Sequence, residues 1–171
     1  LIPWFTKHLG KKNTYIYVQA FGDVVMFAMY FIGRNGGYNN SSNLLWLAIG
    51  FVLLGLPQGI NNVITYAMIG DTVEYLEWKT GERAEGICFS MQTFINKISM
   101  AVGAFIGVMA YGISGISPSD PYNTVTPEGS EKLWAVLILS GAISMVPPII
   151  PLLFYTVTES KQSEYVNEIE E

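Results

Sequence analysis

Half of the 171 residues are hydrophobic, only 13% are charged, and the mean hydropathy is +0.34. A soluble domain carries about 25% charged residues, so this composition indicates a membrane protein. The net charge of −5 argues against nucleic acid as a partner, because no basic stripe is present to neutralise phosphates. Cys88 is the only cysteine and His8 the only histidine, which excludes an internal disulfide and disfavours a zinc site.

The amino-terminal stretch, residues 1–13, is predicted to be the end of a preceding helix followed by a basic loop that turns at Gly10. Its charges follow the apolar residues, whereas those of a signal peptide precede its apolar core. We therefore expect the chain to be a piece of a longer protein.

Four apolar stretches are each about long enough to cross the hydrocarbon core of a membrane as a helix. They comprise residues 14–33, 44–69, 87–113 and 133–157. Turn-forming or charged segments separate them at residues 34–43, 70–86 and 114–132, and a polar, acidic tail follows at residues 158–171. The pattern predicts an all-α membrane protein with four transmembrane helices.

Glycine and proline interrupt two of these predicted spans. The second is expected to break around Pro57, which has a glycine two residues away on either side. Membranes tolerate such interruptions where neighbouring groups satisfy the freed backbone. The fourth contains three prolines between residues 147 and 151, which are expected to kink it or unwind a turn because proline has no backbone N–H.

Basic residues are distributed unequally between the two sides of the predicted membrane protein. One side receives only Arg34 and Lys132, and the other receives Lys7, Lys11, Lys12, Lys79, Arg83 and Lys161. The positive-inside rule then places the richer side in the cytoplasm. We expect a multi-pass protein of the cell membrane with both termini in the cytoplasm.

Lys97 lies where a charged group is costly. It is the eleventh residue of the third predicted span, roughly 15 Å from one end and near the centre of a core about 30 Å thick. Insertion scales disfavour a lysine there by about 2.5–3.5 kcal/mol, so such a residue normally faces a wet cavity or a partner. The alternative is a structural ion pair or a neutral lysine with a packing role.

Polar residues recur at helical spacing on two of the predicted spans. On the third span they are Gln92, Thr93, Asn96 and Lys97, and on the second they are Gln58, Asn61, Asn62 and Thr65. Two such faces on adjacent helices would line a water-accessible path and bind a hydroxyl-rich solute. The alternative is that Asn and Gln hold helices together, a contact worth about 1 kcal/mol or less. With Lys97 opposite, the cavity is favoured.

Asp23 is the other ionisable residue within a predicted span. Gln19 precedes it by one helical turn, so the two are predicted to share a polar seam. A pair between Asp23 and Lys97 would neutralise both charges, but the sequence gives no reason to place their spans in contact. A structural role for Asp23 is therefore favoured.

The connector at residues 70–86 is densely charged. Its carboxylates suggest a metal site, but the alternation with Lys79 and Arg83 favours internal ion pairs on a solvated amphipathic turn. The sequence also has no Ser/His/Asp set, no glycine-rich phosphate loop and no paired intramembrane carboxylates. Neither an enzyme nor a bound metal or cofactor is therefore expected.

The sequence GDTVEYLEWKTGERAEG at residues 70–86, followed by SMQTFINK at residues 90–97, carries a specific resemblance. It resembles the segment joining the tenth and eleventh helices of the glycoside-pentoside-hexuronide:cation symporters, the melibiose permease group of the major facilitator superfamily. The resemblance extends over the whole chain. It implies that the four spans are helices nine to twelve of a twelve-helix transporter, of which the earlier helices are missing here.

The resemblance implies a secondary transporter that couples Na+ or H+ to the movement of a sugar or glycoside by alternating access. Lys97 matches the eleventh-helix lysine that this family uses for sugar and cation binding, whereas the family's acidic cation ligands lie in the missing half. The connector is expected to close the cytoplasmic side through ion pairs. Its candidate gate residues are Asp71, Glu74, Glu77, Lys79, Arg83 and Glu85.

The expected partners are thus the substrate, the lipid bilayer and the missing amino-terminal helices, and the only expected cofactor is the co-transported cation. Two alternatives remain at this point. In the first, the protein has the same fold but transports another solute such as a lipid, as relatives of this family do. In the second, it is a four-span membrane scaffold subunit that transports nothing.

Overall fold

The computed structural model describes residues 2–36, 41–155, 157 and 159–170, most of them in helices. The helices are α1 (Ile2–Gly36), α2 (Ser41–Thr80), α3 (Glu85–Ser114), α4 (Pro121–Thr124), α5 (Pro127–Met145), α6 (Ile149–Leu153) and α7 (Glu159–Glu170). Segments long and apolar enough to cross a membrane are Trp4–Asn35, Ser42–Thr80, Glu85–Ser114 and Pro127–Leu153. The predicted all-α fold with four spans is confirmed.

α1 packs against α2 and against α5, and the apolar core at these contacts contains Val25, Met29, Leu54 and Ile138. Met29 is only 1% exposed and lies directly against Gly50 of α2. A Cβ at Gly50 would come within 2.6 Å of Met29 Cγ, so the absence of a side chain at this position permits the close approach. The third long helix, α3, packs mainly against α5 and leaves most of its apolar surface exposed.

α1 consists of two helical segments that meet at Gly10, whose backbone angles are φ 77° and ψ 159°. Glycine adopts a positive φ without the steric cost that a Cβ would impose. The predicted basic loop is therefore reduced to one break, since the lysines after Gly10 are good helix formers and continue the second segment. Thr14 Oγ donates to the Gly10 carbonyl at 2.8 Å and so satisfies a backbone group at the break.

α2 differs from its prediction in two respects. It continues through Pro57 without the expected break, with the proline ring against Gly22 of α1. It also continues beyond residue 69 to Thr80, because residues 71–80 contain no helix breaker and include the strong helix formers Glu, Leu and Lys. The helix ends at Gly81, which has φ 73° and donates its N–H to the Glu77 carbonyl at 2.8 Å. Most of the predicted connector is thus a helical extension of α2.

The predicted fourth span is divided between two helices. α5 begins at Pro127, earlier than predicted, because Thr126 caps it by accepting from the Gly129 N–H at 3.0 Å. It ends at Met145, and the shorter α6 begins at Ile149, so the interruption lies where the prolines were expected to produce one. The acidic tail forms helix α7, which packs against the extension of α2.

Candidate functional site

The predicted polar residues of α3 lie on the outside of the helix assembly. Thr93, Asn96 and Lys97 are exposed, and Gln92 is partly buried and donates to Asn96 at 3.4 Å. Thr93 Oγ donates to its own helix, at the Phe89 carbonyl. Within the described residues, Lys97 Nζ has no hydrogen bond and no ion pair. We call these four residues the polar face of α3, and in this chain they face away from the core.

The predicted polar residues of α2 have two different environments. Gln58 and Asn62 are exposed, whereas Asn61 and Thr65 are partly buried towards α1. No hydrogen bond among the described residues joins this set to the polar face of α3. The structure therefore does not bring the two predicted faces together within this chain.

Asn61 belongs to a seam between three helices. Its amide donates to Gln19 Oε1 of α1, and Gln19 Nε2 donates to the Met145 carbonyl of α5 at 3.2 Å. Asp23 lies one turn after Gln19 on the same side of α1, as the sequence predicted. We call Gln19, Asp23, Asn61 and the Met145 carbonyl the Gln19 seam.

Two oxygens of the Gln19 seam are buried and accept no hydrogen bond from the described residues. They are Asp23 Oδ1 and Asn61 Oδ1. Leaving a buried acceptor unsatisfied costs about 1–3 kcal/mol, and more if the group is charged. The seam therefore requires a donor or a positive charge that the neighbouring side chains do not provide.

A second polar cluster lies where the extension of α2 meets α1 and α7. Asp71 is 4% exposed, and both of its carboxylate oxygens accept from Lys11 Nζ at 2.7 Å. Tyr155 donates to the same carboxylate at 3.3 Å. Gln162 of α7 accepts from Lys11 at 3.1 Å and donates to Glu74 at 2.8 Å. We call these five residues the Asp71 cluster.

The remaining gate candidates form exposed local contacts. Arg83 pairs with Glu77 at 2.8 Å and with Glu85 at 3.3 Å, so it bridges the end of α2 and the start of α3. Hydrogen bonds to these carboxylates raise the pKa of Arg83 further above its usual range, so the guanidinium stays charged. Lys79 lies over the Tyr75 ring, with Nζ 5.7 Å from its centroid.

α7 is held to α2 by aromatic contacts as well. Tyr165 packs against Tyr75 and Trp78, with ring centroids 5.6 and 4.7 Å apart. The Trp78 indole N–H also donates to Glu168. The tail helix therefore covers the same end of the molecule as the Asp71 cluster.

Sequence reasoning included Asp71 and Glu74 but missed their partners. Lys11 is 60 positions from Asp71, and Gln162 is 88 positions from Glu74. The one available signal was the position of the basic loop and the acidic connector on the same predicted side of the membrane. That signal places the two segments near each other but does not select which residues pair.

A cavity of about 260 Å³ lies beside the Asp71 cluster, between α1, α2 and α6. Its walls carry the hydroxyl-bearing residues Tyr15, Thr65, Thr72 and Tyr155 among apolar side chains. Thr65, which the sequence predicted to line a central cavity with the polar face of α3, lines this cavity near the Asp71 cluster. In the described ranges, no group of three or more His, Cys, Asp or Glu residues is placed to hold a metal ion.

Several bacterial proteins are similar to nearly the whole chain. A candidate sulfoquinovose importer of Escherichia coli K12 is 31% identical over 99% of this chain and 34% of its own length. A glucuronide carrier protein homolog of the same organism is 26% identical over 99% of the chain and 35% of its length. An uncharacterized symporter of Bacillus subtilis 168 is 26% identical over 98% of the chain and 34% of its length.

The chain thus spans about a third of the length of these relatives. No solved structure matches the chain significantly. Residues 1–159 match the family model described as MFS/sugar transport protein, which covers all four membrane-crossing helices. The chain therefore belongs to this sugar-transporter family of the major facilitator superfamily, whose members are multi-pass membrane proteins.

Proposed function

We propose that the protein containing this chain is a secondary active transporter that moves a sugar or glycoside together with Na+ or H+ by alternating access. The family description and the sugar derivatives named for two relatives support the cargo class. The symporter among the relatives supports coupling to a cation. The chain spans about a third of these relatives' length, so the activity is proposed for the whole protein.

The observation that carries this proposal is the environment of Lys97. Its ammonium lies in the first half of a helix long and apolar enough to cross a membrane, and it has no partner among the described residues. An intramembrane charge requires a polar partner or a wet cavity. The polar face of α3 would form one wall of a central binding site, with Lys97 contacting the substrate or the coupling cation.

The Asp71 cluster would act as part of a cytoplasmic gate. Its ion pair joins α1 to the extension of α2, and Gln162 adds α7 to the same contact. Opening the cytoplasmic side requires the helices at this end to separate, which would break the ion pair between Lys11 and Asp71. The pair would therefore be formed in the closed state and broken in the open state. The exposed pairs of Arg83 would contribute less to closure, because water competes for them.

The proposal predicts that Lys97→Val in the full-length protein removes concentrative uptake, while membrane insertion and expression remain intact. Uptake of radiolabelled candidate sugars into cells or vesicles, with a Na+ or H+ gradient, measures this. Lys132→Val is the matched control, since that lysine pairs with exposed Glu128 at the start of α5. Concentrative uptake that survives in Lys97→Val would contradict the role of Lys97.

The cargo class is tested separately by substrate-dependent stabilisation. The purified transporter in detergent should gain thermal stability with its sugar or glycoside, because a ligand that binds only the folded state stabilises it. Stabilisation by an amphipathic lipid and by no sugar would favour the lipid-carrying alternative.

A further inference from the structure

The residues of the Gln19 seam are not part of the proposed sugar site on α3. It contains the carboxylate of Asp23, the amide oxygen of Asn61 and the carboxy-terminal end of α5, all within membrane-crossing segments. We propose that these oxygens form a binding site for one monovalent cation, of which Na+ is the probe. The site is separate from the polar face of α3 and does not depend on the identity of the cargo.

The residues of the seam converge through contacts on three helices. Gln19 is hydrogen-bonded to Asn61 on one side and to the Met145 carbonyl on the other. A Cβ at Gly22 would lie 3.5 Å from Pro57 and 3.4 Å from Met145 Sδ, so α1, α2 and α5 also meet one residue before Asp23. Asp23 thus follows directly along α1 after a point where the three helices meet, and it lies one turn after Gln19.

Acceptors of the seam remain unsatisfied. One hydrogen of the Asn61 amide goes to Gln19, and one hydrogen of the Gln19 amide goes to the Met145 carbonyl. Asp23 Oδ1 and Asn61 Oδ1 are buried and accept nothing from the described residues. A buried carboxylate oxygen and a buried amide oxygen, with no cation supplied by the described side chains, favour a positively charged ligand coordinated by oxygen.

The break after α5 adds to the negative potential at this place. Pro148 has no N–H to donate to the Ser144 carbonyl, and the Ile149 N–H goes to the Val146 carbonyl at 3.0 Å. Carbonyls at the end of α5 are thus released from the helical pattern, and the helix dipole makes this end negative. Broken helices inside membranes commonly coordinate Na+ through such freed carbonyls.

The charge of the seam fits a monovalent ion better than a divalent one. Asp23 supplies a single negative charge, and the other ligands are neutral oxygens. In the part of the chain that the structure describes, no cluster of three acidic, histidine or cysteine ligands is present. One cation therefore neutralises the site without leaving a net positive charge in the membrane.

The test uses the purified full-length protein and Na+-induced infrared difference spectra, with choline chloride at equal ionic strength as the reference. Na+ binding should change a carboxylate band in the wild-type spectrum, and Asp23→Asn should lack that change. Asn61→Ala should retain the band but require a several-fold higher cation concentration for half-saturation. Asn167→Ala, which changes an exposed amide on α7, should behave as the wild type.

Identical difference spectra in the wild type and Asp23→Asn would overturn the proposal, whichever other sites the protein has. If Asp23→Asn does not fold, as judged by gel filtration, the Asn61→Ala titration decides the question. An unchanged half-saturation concentration in Asn61→Ala would also overturn the proposed ligand set. Uptake measurements are not needed, so a failed cation site is distinguishable from a failed transport function.

Discussion

Two lysines of this chain have opposite environments. Lys11 is mostly enclosed and lies between Asp71 and Gln162, whereas Lys97 is exposed in this chain and has no partner among the described residues. Lys11 stabilises contacts among α1, α2 and α7, which all belong to this chain. Lys97 is available for a ligand or for a part of the protein outside this chain. The same side chain thus has a structural role at one end and a proposed binding role in the centre.

Lys11→Met is expected to destabilise the full-length protein by about 3–5 kcal/mol, because it leaves the Asp71 carboxylate buried without its cation. Asp71 has a side-chain exposure of 5% and Lys11 one of 20%. The unfolding midpoint in detergent measures the change. Arg83→Met is the matched control, since its ion pairs are exposed and should contribute little.

The double variant Lys11→Met/Asp71→Leu should recover much of the lost stability, since no buried charge then remains unpaired. A double variant less stable than either single variant would show that other contacts of these residues dominate.

At the scale of the elements, α1 and α2 share the most extensive helix contact, and within it Gly50 lies directly against Met29. The two long helices approach closely here because Gly50 of α2 has no side chain. About one turn before Met29 on α1, Met26 lies against Gly141 of α5 in a similar way. Methionine therefore fills the space that glycine leaves at both helix interfaces.

Gly50→Ala is expected to destabilise the protein by about 1–3 kcal/mol, because the added methyl group overpacks against Met29. A double-mutant cycle with Met29→Val provides the control, because a smaller partner makes room for the methyl group. Strictly additive effects of the two substitutions on the unfolding midpoint would contradict a direct contact.

α7 shows how a polar tail acquires a defined position. Its sequence is acidic and has no apolar run, yet Tyr165 and Gln162 give it specific contacts with the extension of α2. Because α2 continues as a helix to Thr80, it provides a surface on which the tail helix lies.

Tyr165→Ala is expected to loosen α7, since it removes two aromatic contacts worth about 0.5–1.5 kcal/mol beyond burial. Limited trypsin cleavage after Lys161 should then become several-fold faster, because cleavage follows the population of the open form. Asn167→Ala, an exposed position on the same helix, should leave the cleavage rate unchanged. Equal rates in both variants would show that the aromatic contacts do not hold α7.

At the scale of the whole molecule, α3 is the least enclosed long helix, with 6% of its most apolar window buried against 28% for α1. The core of the chain is built from α1, α2 and α5, and α3 is attached mainly through α5. Since the chain covers about a third of its relatives' length, the open side of α3 is where we expect the rest of the transporter to pack. That arrangement would enclose the polar face of α3.

The excess of basic residues on one side predicts that both α7 and the loop between α2 and α3 are cytoplasmic. In a background without other cysteines, including Cys88→Ser, Tyr122→Cys should react with a membrane-impermeant maleimide in intact cells. Asn167→Cys should react only in inside-out vesicles. Labelling of Asn167→Cys from outside the cell would contradict this orientation.

The sequence determined the features that depend on local composition and spacing. Apolar length gave four spans, the prolines after Met145 gave the break in the last one, and the helical spacing of Gln92 to Lys97 gave one polar face. Gln19 and Asp23 were likewise placed on one side of α1 by their spacing. Each of these features follows from the geometry of a single helix, so it can be predicted without knowing which helices pack beside it.

Only the tertiary structure decided which distant residues meet. The sequence predicted ion pairs within the connector, and Arg83 forms such pairs with Glu77 and Glu85. Asp71, in contrast, pairs with Lys11 of α1. The sequence also grouped Asn61 with Gln58 on a cavity wall, whereas Asn61 bonds to Gln19. The physical reason is that helix packing selects partners by rotation and depth across the whole assembly, and neither quantity is encoded in the spacing along one helix.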